Sequence, residues 1–209
     1  MNNIEIAWVE YGNRNDPVLL LSHGTGFHSR CWDQVVKYLE GFFVISMDHR
    51  GHGRSENCPP YSWEQLGIDL TSFIVARDLT DIRGVGHSLG GHCMVQAAAN
   101  TPERFRRLTL FDPVIFEPSM YVDVCTDTAS DHPVAKRRNT WESPKQMIDR
   151  LKDRAPFSRW QEDVLRDYCQ HGLVKAVTHY ELACPPTVET AIYASATAAN
   201  VHGLIPFVL

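Results

Sequence analysis

The 209-residue sequence has no apolar run near the roughly 20 residues that a helical membrane span requires. Its start, Met1-Asn2-Asn3-Ile4-Glu5-Ile6, lacks the basic stretch and apolar core of a signal peptide, so a cytoplasmic protein is expected. Positive charge is not in excess either. Twenty Lys and Arg stand against 25 Asp and Glu, a formal net charge of -5, which leaves no basic footprint for nucleic acid or an anionic membrane. The six cysteines (31, 58, 93, 125, 169 and 184) form no C-x-x-C pair and no zinc-like spacing with histidine. They are expected as free thiols in a reducing compartment. There is no internal repeat, low-complexity tract or nucleotide-binding loop, so neither a cofactor nor a metal is implied.

What is present suits a globular domain. Hydrophobic residues make up 44% and charged residues 22%, and the length allows one well-buried domain but not two large ones. The first half alternates strand and helix signals. Ile4 to Val9 reads as a strand, and Val18 to Leu21 is a continuous apolar run suited to burial on both faces. Helical patterns over Cys31 to Leu39 and Trp63 to Leu79 flank a second apolar strand, Phe42 to Met47, and Leu108 to Phe111 reads as a further strand. This alternation predicts an α/β fold: a mainly parallel sheet with helices on both faces.

Beyond Pro113 strand signals thin out. Ser143-Pro144 reads as a helix N-cap with proline at the first helical position, with Met147, Ile148 and Leu151 on one face. Ser158 to Gln161 fits a capping box before Val164, Leu165 and Tyr168, with Gly172 as the stop, and a third helix is expected from Pro186 towards Asn200. The expected organisation is a core over 1–113, a helical lid over 114–200, and the start of a post-lid core segment over 201–209.

Five residues carry the chemistry. Gly86-His87-Ser88-Leu89-Gly90 has the form G-x-S-x-G, with the apolar stretch Ile82 to Val85 before it and an alanine-rich helical stretch, Gly91 to Asn100, behind it. Strand, tight glycine-flanked turn with serine, helix: this is the layout of a nucleophile elbow. The other reading of Ser88 is a helix N-cap, which needs no glycine on either side. Two more motifs follow apolar strands, His23-Gly24-Thr25-Gly26 after Leu21 and Asp48-His49-Arg50-Gly51-His52-Gly53-Arg54-Ser55 after Met47. All three therefore fall at strand carboxyl ends, where open α/β sheets bind their ligands.

Together these motifs resemble the α/β-hydrolase superfamily, in its lidded branch with HG, D-x-R-G-x-G-x-S and G-H-S-x-G-G signatures. The likeness covers about residue 4 to Pro113 closely and the lid in layout only. It implies Ser88 as nucleophile, and an oxyanion hole from the backbone N–H groups of Leu89 and Thr25. It also implies small ester, lactone or thioester substrates hydrolysed through an acyl-enzyme. Carbon–carbon bond hydrolysis, or a perhydrolase or haloperoxidase-like reaction, stays open on the same fold. A dehalogenase or epoxide hydrolase is disfavoured, because those branches place aspartate at the nucleophile position.

The family order is serine, then acid, then histidine, with the last two after the lid. Here the fold is expected to be incomplete: the sequence stops at Leu209, before both, so the chain reads as truncated and its activity as impaired or silent. Asp112 is open as a substitute acid or a plain turn residue, and His171, His179 and His202 lie outside the family position for the base. His23 and His87 are expected to pack, and Asp48 and Arg50 to brace their loop. Lys136-Arg137-Arg138 is open as a carboxylate attractor or a solvated face. Trp141, Phe157 and Trp160 are open as an acyl pocket or as lid packing. An uncovered sheet edge and apolar face are expected to drive self-association.

Overall fold

The computed structural model describes residues 4–122 and 132–207. Cys125 and the terminal residues Met1, Asn2, Asn3, Val208 and Leu209 lie outside it, so the expectations placed on them are not tested.

Five strands form the main sheet: β1 (Trp8–Tyr11), β2 (Val18–Ser22), β3 (Phe43–Met47), β4 (Ile82–His87) and β5 (Phe105–Phe111), in the order β1-β3-β2-β4-β5. All neighbours run parallel except β1, which pairs antiparallel with β3. The apolar runs are continuous because the central strands are buried on both sides. Along β2, Leu20 faces one core cluster while Leu19 and Leu21 face another with Val44. Helices α2 (Trp63–Ala76) and α3 (Leu89–Asn100) supply the first cluster through Leu66, Leu70, Ile74, Cys93, Met94 and Ala97. The short helix α1 (Asp33–Val36), with Trp32 and Val36, covers the opposite face. The expected α/β arrangement, mainly parallel with helices on both faces, is what forms.

Several boundaries differ from the sequence pattern. The first strand sits at Trp8–Tyr11 rather than Ile4 to Val9, and Ile6 packs against the core instead. The Cys31 to Leu39 helix is reduced to a 3-10 turn, Ser29–Trp32, and the single turn of α1. β5 starts three residues early because it is an edge strand, whose exposed Arg106 and Arg107 read as loop.

The segment after β5 is not purely helical. Helices α4 (Pro144–Leu151), α5 (Glu162–His171) and α6 (Pro186–Ala194) are joined by a small antiparallel sheet of β6 (Thr140–Trp141), β7 (Leu173–Lys175) and β8 (Tyr180–Leu182). Ser143 caps α4 as expected, its hydroxyl accepting from the Gln146 amide at 3.1 Å. Ser158 does not cap α5. It lies in a 3-10 turn, Phe157–Arg159, and Gln161 occupies the N-cap with no side-chain bond. Trp141, Met147, Leu165, Tyr168, Leu173 and Leu182 form a separate cluster, against which Phe27 and Cys31 pack.

α6 ends at Ala194, short of Asn200, and its Val188 and Ile192 join the main core. The Trp63 indole Nε1 donates to the Ile192 carbonyl at 2.6 Å and fixes this return. A second tie comes from Arg54, whose guanidinium donates to the carbonyls of His171 (3.3 Å) and Leu173 (3.0 Å). Residues His202–Phe207 form 3-10 turns rather than a strand. Among the described residues the outer edge of β5 has no partner strand. No described helix is long and apolar enough to cross a membrane.

Candidate active site

The turn between β4 and α3 is closed by close backbone approach. A Cβ on Gly90 would lie 2.2 Å from the Ser22 carbonyl oxygen, and one on Gly86 would lie 2.5 Å from the Gly90 oxygen. Only glycine allows α3 to start this near β2 and β4. Between them Ser88 adopts φ 53° and ψ -118°, a conformation non-glycine residues avoid. Its amide donates to the Phe111 carbonyl at 3.0 Å, and its own carbonyl accepts from Gly91 and His92 at 3.0 and 3.2 Å. The backbone is thus held on both sides. The Ser88 hydroxyl makes no cap and no other hydrogen bond among the described residues. The N-cap role open in the sequence is therefore not taken up by its side chain.

The His23-Gly24-Thr25 loop comes against this turn. A Cβ on Gly24 would be 3.2 Å from Ser88 Cβ and 3.0 Å from His87 Nδ1. The amides of Thr25 and Leu89 have no acceptor among the described residues. Thr25 is buried, and its Oγ1 is also without a partner. Leu89 is the first residue of α3, so its amide is also one end of the helix dipole. Two unspent backbone donors thus lie at the turn that carries the free Ser88 hydroxyl.

Three histidines support the loop. His23 Nε2 accepts from the His49 amide at 3.0 Å, so its Nδ1–H donates to the Gly24 carbonyl at 2.8 Å. His52 Nε2 likewise accepts from the Gly26 amide (3.0 Å), and its Nδ1–H donates to the Arg50 carbonyl (2.9 Å). His49 Nε2 meets Ser22 Oγ at 2.7 Å. The rings pack edge to face, His23 on His49 at 4.8 Å, with His52 tilted 5.1 Å from His23. Burial holds all three neutral: His23 well below its ordinary value, His49 down to about 3 and His52 to about 4. His23 packs as expected; His49 and His52 were not marked out by the sequence.

The D-x-R-G-x-G-x-S loop is braced from two directions. Asp48 accepts from the amides of Ser29 (2.6 Å) and Arg54 (2.9 Å). Arg50 pairs not with Asp48 but with Asp69 of α2, through Nε at 2.7 Å and NH2 at 2.8 Å.

No described histidine bonds to Ser88. His92 is buried on Trp63 and lowered to about 4, and His28 is turned to the Tyr168 carbonyl. His179, in the turn between β7 and β8, pairs with Glu181 at 3.0 Å, and His171 lies near Asp33 and Asp167. Asp112 follows β5 at φ 45° and is exposed; its charge opposes the burial that lowers His87. The ligand atoms of Asp33, Asp167 and His171 lie within 4.8 Å of one another. Tyr11 and Arg30 already hold Asp33, and Gln34 holds Asp167, so this cluster is spent on protein contacts.

Beside the turn lies a cavity of about 430 Å³, walled by His23, Gly24, His87, Phe27, Trp32 and Trp160 among others. Trp160 is thus a wall residue, whereas Trp141 is core and Phe157 packs on it. The basic run divides: Arg137 pairs with Glu189 at 2.7 Å and with the Tyr168 hydroxyl, while Arg138 lies over the Trp141 ring at 4.4 Å. Neither is simply solvated. The walls from Phe27 to Val35 escaped the sequence reading, because Phe27, Trp32 and Val35 are scattered through a largely polar stretch after His23-Gly24.

Comparison with known proteins agrees with this fold. The model of the alpha/beta hydrolase family matches residues 18–206. The 3-oxoadipate enol-lactonase 2 of Acinetobacter baylyi is 30% identical over 108 residues, 51% of this chain and 40% of that protein. Lipase LipV of Mycobacterium tuberculosis is 28% identical over 112 residues, 54% of this chain and 43% of its own length. The matched stretches thus span less than half of these relatives. The crystal structure of E-2-(acetamidomethylene)succinate hydrolase superposes with a TM-score of 0.79 at 22% identity, covering 99% of this chain and 74% of that one. With its family model matched along nearly the whole sequence, the chain belongs to the alpha/beta hydrolase family.

Proposed function

We propose that this chain is a serine hydrolase of small ester, lactone or thioester substrates, with Ser88 as the nucleophile. The observation that carries the reading is the free Ser88 hydroxyl, held at φ 53° beside the unpaired amides of Thr25 and Leu89. The relatives named as a lactonase and a lipase support it. In acylation the Ser88 Oγ forms a bond to the substrate carbonyl carbon. The carbonyl oxygen takes up negative charge, which the two amides stabilise; one such donor is worth about 2.7–4 kcal/mol of barrier. The bond to the leaving oxygen or sulfur then breaks, and the serine proton ends on that atom. Water attacks the acyl-enzyme in the second half and restores the hydroxyl.

The proton transfer needs a base, and no described histidine meets Ser88. Acylation by activated esters is therefore expected to outpace turnover, so that the acyl-enzyme accumulates. That same observation favours a second reading, a folded but catalytically silent chain.

A fluorophosphonate probe with peptide mapping, alongside a p-nitrophenyl ester assay, separates them. Labelling at Ser88, lost in Ser88→Ala, supports the hydrolase. Absence of both labelling and ester cleavage supports the silent reading.

A further inference from the structure

The walls of the cavity beside Ser88 are chemically uniform. Phe27, Trp32 and Val35 come from the stretch after the His23-Gly24 loop, Phe111 from the end of β5, and Trp160 and Val164 from the α5 region. Among the described residues, no Asp, Glu, Lys or Arg lines it. Three titratable groups do line it. Burial lowers His23 and His87 and raises the Cys31 thiol, so all three face the cavity uncharged at neutral pH. The aromatic walls are already mutually packed, Phe27 stacking on Trp160 at 5.9 Å and meeting His87 edge-on at 5.8 Å. Two further walls are left to solvent: Val35 is 46% exposed and Phe111 54%. Phe111 also supplies the carbonyl that holds the Ser88 amide, which ties this open apolar surface to the reacting atom.

We propose that this cavity receives an uncharged, apolar acyl group, alkyl or aryl, of the substrate attacked by Ser88. The assignment rests on the Ser88 reading and narrows it from esters in general to those of apolar acids. At about 430 Å³ the space lies within the ~300–1,000 Å³ of small-molecule pockets. A carboxylate on the acyl chain would lose its hydration here with no cation in the walls to receive it. Val35 and Phe111 would be covered by the chain on binding, which supplies the driving force.

The test uses alkylphosphonofluoridates with methyl, butyl, hexyl and octyl chains, together with a hexyl analogue ending in a carboxylate. In each, Ser88 Oγ bonds to phosphorus, fluoride leaves, and the serine proton passes to solvent. The second-order rate of Ser88 labelling is expected to rise about fourfold per methylene until the cavity is full, the equivalent of ~0.8 kcal/mol per buried CH₂. The carboxylate probe is expected to be at least about tenfold slower than its plain hexyl counterpart. Val35→Lys, a change at a position 46% exposed and outside the core clusters, is expected to flatten the chain-length slope. A flat slope in the unaltered protein, or a faster carboxylate probe, overturns the assignment.

Failure to label with any probe refutes the nucleophile instead. The cavity is then decided by tryptophan fluorescence titrated with octanamide and octanoate, using Trp160→Phe as the control. Tighter binding of octanamide, with a signal reduced in the control to what Trp32 contributes, upholds the apolar assignment; equal or reversed affinity overturns it.

Discussion

Removing Arg50 alone should damage the fold more than removing Arg50 and Asp69 together. The two side chains are 3% and 1% exposed and share two short bonds, at 2.7 and 2.8 Å. Arg50 also donates to the carbonyls of Cys58 (2.8 Å) and Pro59 (3.3 Å), and Asp69 also accepts from Gln65 Nε2 at 3.0 Å. Arg50→Met leaves the Asp69 carboxylate buried with one neutral donor, and strips two carbonyls of theirs. The expected cost is ~3–5 kcal/mol, as for other broken buried ion pairs. For a domain of this size that is a fall of roughly 6–20 °C in Tm. Asp69→Leu should cost less, because the guanidinium keeps two carbonyl acceptors. In Arg50→Met with Asp69→Leu no charge is left buried, and what remains is the loss of the Cys58 and Pro59 bonds, about 1–3 kcal/mol. Urea denaturation of the four proteins at pH 7 closes the cycle. Additive losses, or a loss under about 1 kcal/mol for Arg50→Met, would refute the reasoning.

Three further outcomes follow from other parts of the structure. Folded His49 and His52 titrate near 3 and 4 against 6.5 when unfolded, so the unfolded chain binds more protons below pH 6.5. Stability should therefore be fully present above that pH and fall by ~1.4 kcal/mol per pH unit for each ring down to about pH 4; a flat denaturation midpoint between pH 6.5 and 4.5 contradicts this. Ser88→Gly should relieve the strain at φ 53° and raise stability by ~1–3 kcal/mol while abolishing labelling. Ser88→Ala keeps the strained backbone and should not gain, so equal midpoints for the two variants count against strain. The bare edge of β5, with Thr109 and Phe111 exposed, is expected to support self-association, and light scattering that stays monomeric at high concentration argues against it.

The core was legible because its strands are buried on both faces. Val18 to Leu21 stands out as an unbroken apolar run and Phe42 to Met47 as one interrupted only by Ser46, and β2 and β3 fall within a residue of them. The Ser88 turn was legible because close approach leaves glycine no substitute at two fixed positions. The small sheet after β5 was not. Its strands are two or three residues long, too short for a period of two to register, and their pairing is set by partners up to 41 residues away, as between Thr140 and Glu181. Ser158 misled because a capping pattern also suits a 3-10 turn. The histidine cluster is a meeting of two loops, and no local spacing announces contacts 26 residues apart, such as His23 with His49.

The segment from β6 through α6 is fastened to the rest of the fold at separate places. Trp63 grips Ile192 from the core side, and Arg54 holds the carbonyls of His171 and Leu173. Main-chain carbonyls do the receiving at all three points, so the residues bearing them can change identity without loosening the fastening. Trp160, just before α5, and Val164 within it wall the cavity and can then vary over a turn that stays fixed. The fold separates what must be constant, a serine held at one backbone angle, from what can drift, the shape of the room beside it. Replacing those walls would reshape the room while leaving the Ser88 turn as it stands.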